Sequence, residues 1–285
     1  MVEVSAARLS EYRQLTFRLR GDLTLHSKED ALSFVEERGF IYFWPIKGIQ
    51  LPSLWKAVAG NRPVADAHDD PGHVTWGWKD DMLDKRLWYY AKVLRGRAMM
   101  ISHAIVPFFY ALSENYGNPD NDYLQLYEDG LLSREAKVIY EALLREGPLD
   151  TVTMRRKINM TGKASNSPFD RGLVSLQRDF KILPVGIARV GGWRYSFIYD
   201  RVHRYYPGLP DKARPISRRT ARQKLVSLYF DSVGMATEAE TRKLFQWPKR
   251  YIDSALAGLV ESGTLLNQCQ LEGKEEEYFA LPALE

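Results

Sequence analysis

One cysteine, Cys269, occurs in 285 residues. An intrachain disulfide is therefore excluded, as is a metal centre built on several thiolates. Histidine is also scarce, with five in the chain: His68 and His73 lie near each other, while His26, His103 and His203 are scattered. No HxxxH or HExxH pattern falls on a helical stretch, so no metal site is expected. Long apolar runs are missing too. Nothing reaches membrane-spanning length, and the arginine-laced residues 1–20 lack the apolar core of a signal peptide. A cytoplasmic protein with no membrane partner is expected. The chain also lacks a Walker loop, a GxGxxG turn, a GxSxG elbow and the kinase signatures. Phosphate-cradling, dinucleotide, serine-hydrolase and kinase chemistry lose their sequence support, and no cofactor is expected.

What is present is a unit that occurs twice. In residues 133–146, Ala136, Ile139, Tyr140, Leu143 and Leu144 mark one helical face. A short helix over 151–158 follows, then a polar loop. Ser167 and Pro168 supply an N-cap and first-turn proline for a third helix carrying Phe169, Leu173, Leu176 and Phe180 on one side. Residues 182–190, a Gly191-Gly192 turn and residues 193–199, beginning at Trp193, form a hairpin. The second copy repeats this with 222–233, 238–245, a Trp247-Pro248 turn, 251–262 and a hairpin over 265–281. Three helices capped by a hairpin form a winged helix-turn-helix, whose third helix fits a major groove. The spacing predicts a mostly helical α+β protein of tandem winged helix-turn-helix units. The expected division is 1–132, with a diverged N-terminal unit, then 133–206 and 207–285.

Charge is uneven. Residues 1–132 carry 15 Lys/Arg against 18 Asp/Glu, 133–206 carry 14 against 7, and 207–285 carry 11 against 11. The middle unit is thus the electrostatic candidate for phosphate contact, through Arg155, Arg156, Lys157, Lys163, Arg171 and Arg178. A solvated helix face is the plain alternative for each cation taken singly. In the last unit the acidic stretch 272–277 would be repelled by a phosphate backbone and is expected to face solvent or another domain.

The first 130 residues are rich in rings. Leu9, Tyr12, Leu15 and Leu19 lie on one helical stripe. Ser27 and Asp30 form a capping box for a helix that Gly39 ends. Between Phe40 and Tyr90 stand ten aromatics, including Trp44, Trp55, Trp76, Trp78 and Trp88. Most fit an aromatic core. Trp76 and Trp78, however, alternate too tightly for both rings to enter one helix-packed core easily, and exposed ring faces beside cations suit base stacking. Asp66, His68, Asp69, Asp70 and His73, followed by Lys79, Asp80 and Asp81, bring acids among these rings. The plain alternative is an Asp-Pro-Gly turn.

The order of segments resembles the AlkZ/YcaQ-like winged-helix DNA glycosylases over nearly the whole chain. The resemblance rests on a helix ending Arg38-Gly39, a strand stopped by Pro45 and a helix start at Lys85-Arg86-Leu87-Trp88-Tyr89-Tyr90. It also rests on Gly147-Pro148-Leu149 and on Ala257-Gly258-Leu259-Val260-Glu261-Ser262-Gly263 before the final hairpin. It implies tandem winged helices that bind double-stranded DNA and excise alkylated purines. The family places Gln-aliphatic-Gln or Gln-aliphatic-Asp between the glycine and the proline; here those positions are Tyr42-Phe43-Trp44. Neither Tyr42 nor Trp44 supplies the carboxamide or carboxylate that holds the attacking water. Alternation along a strand puts both on one face, either towards DNA or into the core. If chemistry persists, a carboxylate must serve elsewhere, at Asp69, Asp70 or Asp80, with His68 and His73 beside it. Two functions stay open, a glycosylase-like repair enzyme and a non-catalytic DNA-binding lesion sensor or regulator. A carboxylate in the DNA channel favours the first; a channel of aromatics and cations alone favours the second. A monomer is expected.

Overall fold

The computed structural model describes residues 2–113, 115, 117–192 and 194–285. It opens with strand β1 (Val2–Val4) and helix α1 (Ala6–Thr16). Three segments then follow the same order of helix, short strand, two helices and hairpin. The N-terminal segment comprises α2 (Lys28–Arg38), β2 (Phe40–Tyr42), α3 (Leu54–Ala59), α4 (Val74–Leu83), β3 (Tyr89–Lys92) and β4 (Ala98–Ile101). After linking helices α5 (Val106–Tyr110) and α6 (Asp122–Glu128), the middle segment comprises α7 (Arg134–Glu146), β5 (Leu149–Asp150), α8 (Thr151–Lys157), α9 (Asn166–Arg178), β6 (Ile182–Ala188) and β7 (Ser196–Arg201). Helices α10 (Val202–Tyr205) and α11 (Leu209–Ala213) lead to α12 (Arg218–Val233), β8 (Met235–Ala236), α13 (Glu238–Phe245), α14 (Lys249–Glu261), β9 (Leu266–Leu271) and β10 (Glu277–Ala280). In every segment the third strand lies between the other two: β2-β4-β3, β5-β7-β6 and β8-β10-β9, the last sheet being extended by β1 beyond β9. The protein is mixed α and β and mainly helical. No helix among the described residues is long and apolar enough to cross a membrane.

Local chemistry fixes the boundaries. Ser27 accepts from Asp30 N while the Asp30 carboxylate accepts from Ser27 N, closing a capping box at the start of α2. Gly39, at φ +78, ends that helix, and Leu228 approaches so closely that a Cβ there would stand 2.9 Å from its Cδ1. Several boundaries differ from the sequence expectation. Helix α9 begins at Asn166, because the Ser165 hydroxyl donates to the Met160 and Gly162 carbonyls and Ser167 accepts from Arg171. Pro168 still falls in the first turn, where its missing N–H has no intrahelical acceptor. Helix α12 starts at Arg218, capped by Ser217. Residues 85–88 form a turn that leads into strand β3 rather than a helix start, since Arg86 sits at φ +53 and breaks the helical path. The hairpin residue Trp193 lies outside the described residues.

The ends of the chain meet. Strand β1 pairs in parallel with β9, Val2 opposite Cys269, and Glu272 accepts from Ala6 N at the head of α1 at 3.0 Å. Arg13 donates to Val233 O at 3.0 Å and Met235 O at 2.9 Å. Of the expected α1 stripe, Leu9 is buried but Leu15 is 41% exposed. The largest core draws on all three segments, including Phe40, Tyr89, Phe180, Phe230 and Phe245. A second core lies on the other face of the β2-β4-β3 sheet, so Phe40 and Tyr42 enter the first and Ile41 and Phe43 the second. Trp76 and Trp78 both join that second core from α4, contrary to the expectation from their close spacing, with Trp78 buried and Trp76 on its margin.

Candidate nucleic-acid interface

Strand β2 stops at Tyr42. Phe43 N still donates to Ala98 O at 2.9 Å, but the chain then loops out and returns to pair Tyr42 with Ser53. Pro45, without an N–H, cannot extend the ladder. Beside this loop, β3 and β4 turn through Arg95 at φ +56 and Gly96 at φ +63. Between loop and turn lies a cleft of about 430 Å³. Phe43, Trp44 and Ile46 provide its apolar surface, and Lys47, Lys92 and Arg97 its charge. No Asp, Glu, Asn or Gln lines it among the described residues.

Trp44 is 37% exposed at this cleft. Its ring centroid lies 5.3 Å from Phe43 and 5.4 Å from Trp76, which meets it edge-on. The indole is thus braced from behind and partly open in front, the arrangement of a stacking platform. Tyr42 does not join it. That ring is buried in the first core, and its hydroxyl has no hydrogen-bond partner among the described residues. Burial pushes the Tyr42 phenol well above its ordinary pKa, with nearby Arg95 and Arg97 pulling the other way. The expected shared face is lost because strand geometry ends before Trp44, whose side chain folds onto the Phe43 side.

Two other segments border the cleft. On α9, Ser167, Arg171, Val174 and Arg178 recur at the spacing of one helical stripe. Val174 packs on the β3–β4 turn, where a Cβ on Gly96 would stand 2.9 Å from its Cγ1, and exposed Arg171 and Arg178 flank it. On the other side Arg95 donates to Lys243 O at 2.6 Å, satisfying a carbonyl in the last turn of α13. The Lys243 ammonium lies over the loop, since a Cβ on Gly48 would stand 3.0 Å from its Nζ. Gln177, buried on α9, accepts from Lys92 N at 3.1 Å and holds the edge of β3.

The remaining expected cations lie elsewhere. Arg155 is tied down: it stacks 4.0 Å over the Phe169 ring and donates to Asn166, Met160 O and Asp170. Lys157 pairs with Glu146 at 2.8 Å. Arg156 and Lys163 are exposed on α8 and the following loop. None of the four lines the cleft. Neither do the expected acids. Asp69 is exposed in its loop. Asp70 accepts two hydrogen bonds from Arg62, at 2.6 and 2.9 Å, and one from Gly72 N at 2.7 Å. The Arg62 guanidinium holds the Asp70 carboxyl below its ordinary pKa. His73 packs on Trp55 and hydrogen-bonds Ala65 O. Among the described residues no group of three or more His, Cys, Asp or Glu stands together to hold a metal ion.

Lys47, Lys92, Arg95 and Arg97 were hidden by the net balance of the first 132 residues. The signal was local: residues 40–65 and 85–105 contain eight Lys/Arg and no Asp or Glu.

Three helix-and-hairpin segments thus converge on a cation-rimmed aromatic cleft. The chain belongs to the AlkZ-related family, whose pattern matches residues 25–246. In three dimensions it is similar to the DNA glycosylase AlkZ of Streptomyces sahachiroi, with a TM-score of 0.62 and 12% identity over 99% of this chain and 71% of that one. No curated protein matches it in sequence.

Proposed function

We propose that this chain is a DNA-binding lesion sensor. Its three winged helix-turn-helix segments grip a duplex, and a displaced base stacks on Trp44 in the cleft without its glycosidic bond being cut there. The observation that carries this reading is the lining of the cleft: rings and cations, with no carboxylate or carboxamide among the described residues. Hydrolysis of an N-glycosidic bond builds positive charge on the sugar and requires a positioned water. One cation about 6 Å from that charge raises the barrier by about 3 kcal/mol at an effective dielectric of 20. Lys47, Lys92 and Arg97 therefore favour holding phosphates over breaking the bond.

Excision is a second reading, favoured by Asp80, which lies behind the Trp76 ring against Lys79 and Tyr195. Fluorescence anisotropy with a duplex carrying one unpaired or alkylated base tests the first reading. Trp44→Ala should lose the preference for that duplex over its matched counterpart, because stacking contributes about 1–3 kcal/mol per base. An unchanged preference would reject Trp44 as the platform.

A further inference from the structure

At the other end of β3 from the cleft, a second pocket of about 400 Å³ opens between Tyr89, the start of α5 and the turn after α10. Arg86 and Lys212 stand at it, and no Asp or Glu lines it among the described residues. Both cations are exposed, and neither forms an ion pair among the described residues. The Arg86 guanidinium lies 4.2 Å over the Tyr205 ring, which fixes its plane. His103 Nε2 donates to Arg86 O at 2.6 Å and holds that residue in its left-handed conformation, φ +53. Backbone strain of this kind concentrates where a side chain is held for a ligand.

Val106, Pro107 and Leu209 form apolar walls, with the Tyr205 and Tyr206 rings beside them. Cations next to apolar and ring surfaces match a ligand with an anionic end and a flat body.

We propose that this pocket binds one phosphate carried on a planar ring, the chemistry of a nucleoside monophosphate, either free or as the 5′ end of a strand. Arg86 and Lys212 take the phosphate, and the apolar and ring walls take the planar ring. The site is separate from the Trp44 cleft and does not depend on it.

Isothermal titration calorimetry of the full chain with adenosine monophosphate, adenosine and inorganic phosphate tests the assignment. The monophosphate should bind at least about tenfold more tightly than adenosine, and Lys212→Ala should weaken it by about tenfold. Trp44→Ala should leave the binding of both the monophosphate and inorganic phosphate unchanged. A strand bearing a 5′ phosphate that outbinds its 5′-hydroxyl form identifies the strand end as the source. Equal binding of those strands beside a bound monophosphate identifies the free nucleotide. Monophosphate binding no tighter than adenosine, or wild-type affinity in the Arg86→Ala, Lys212→Ala double variant, would overturn the proposal.

Discussion

The Lys79 ammonium donates to the Tyr195 hydroxyl at 2.7 Å, tying α4 of the N-terminal segment to the hairpin of the middle one. Lys79 is fully buried. Its Nζ lies within 6 Å of five ring centroids: Trp76 at 4.4 Å, Phe197 at 4.5 Å, Tyr195 at 5.4 Å, Tyr90 at 5.6 Å and Phe43 at 5.8 Å. Asp80 pairs with it at 2.7 Å and also accepts from Tyr195. A charge taken from water is thus held by ring faces, one carboxylate and one hydroxyl. Two of these rings, Phe43 and Trp76, brace Trp44, so this cage couples the hairpin to the cleft.

Removing one half of the pair should cost more than replacing the lysine with an apolar chain. Asp80→Ala leaves an unpaired buried ammonium and should destabilise the fold by about 3–5 kcal/mol, whereas Lys79→Met should stay within about 1.5 kcal/mol of wild type. Burial pulls the Lys79 pKa below its ordinary value of 10.5. The unfolded chain then holds a proton that the folded chain has released, so stability rises with pH between the lowered value and 10.5. Urea denaturation at several pH values should show wild type gaining on Lys79→Met across that window. A difference that does not vary with pH would contradict the buried charge.

Gly96 has both a steric and a conformational reason to be glycine. Gly96→Ala places a Cβ 2.9 Å from Val174 Cγ1 on a backbone at φ +63. A loss of about 1–3 kcal/mol is expected. Adding Val174→Ala removes the clash but not the strain, so only part of the loss should return in a double-mutant cycle. Full recovery would show that φ contributes nothing.

Salt dependence separates cations at the cleft from those elsewhere. Lys47→Ala, Lys92→Ala and Arg97→Ala should each flatten the log–log slope of duplex binding, by about 0.9 for each phosphate left without its cation. Arg155→Ala should leave the slope unchanged and lower stability instead, because its hydrogen bonds are internal. The reverse pattern would move the interface to α8.

His203 makes the fold sensitive to acid. Burial lowers its pKa to about 4, and its Nε2 lies 2.6 Å from the Tyr110 hydroxyl. Below 6.5 the unfolded chain takes up a proton that the folded chain refuses, so stability falls as pH drops from 6.5 towards 4. His203→Gln should shrink that loss in denaturation curves at about pH 7 and about pH 5. An equal loss in both proteins would place the acid sensitivity elsewhere.

Much of the fold was legible, because caps and periodicity act locally. Ser27 with Asp30, Gly39 and Ser133 set helix ends from neighbouring residues, and the face of α7 follows from its 3.6-residue period. The pairing of β1 with β9 was not legible: three residues carry little pattern, and their partner lies at the far end of the chain. Trp76 and Trp78 misled because close spacing on a helix sends one ring inward and leaves the other on the core margin. At the site the orientation of Tyr42 and Trp44 was not legible. Alternation correctly sorts Phe40 to Phe43 between two cores, then fails at Trp44, where the strand has already ended. The cationic rim escaped notice because net charge averages over acids that fold away from the cleft.

On the proposed function, the cleft binds a displaced base without cutting it. Saturating wild-type protein with a duplex carrying N7-alkylguanine, and measuring bound duplex and released base in the same sample, tests it most directly. Bound duplex should be abundant and reduced by Trp44→Ala, with base release at the uncatalysed rate. Release above that rate, abolished by Asp80→Asn while binding persists, would contradict it and make the protein a glycosylase.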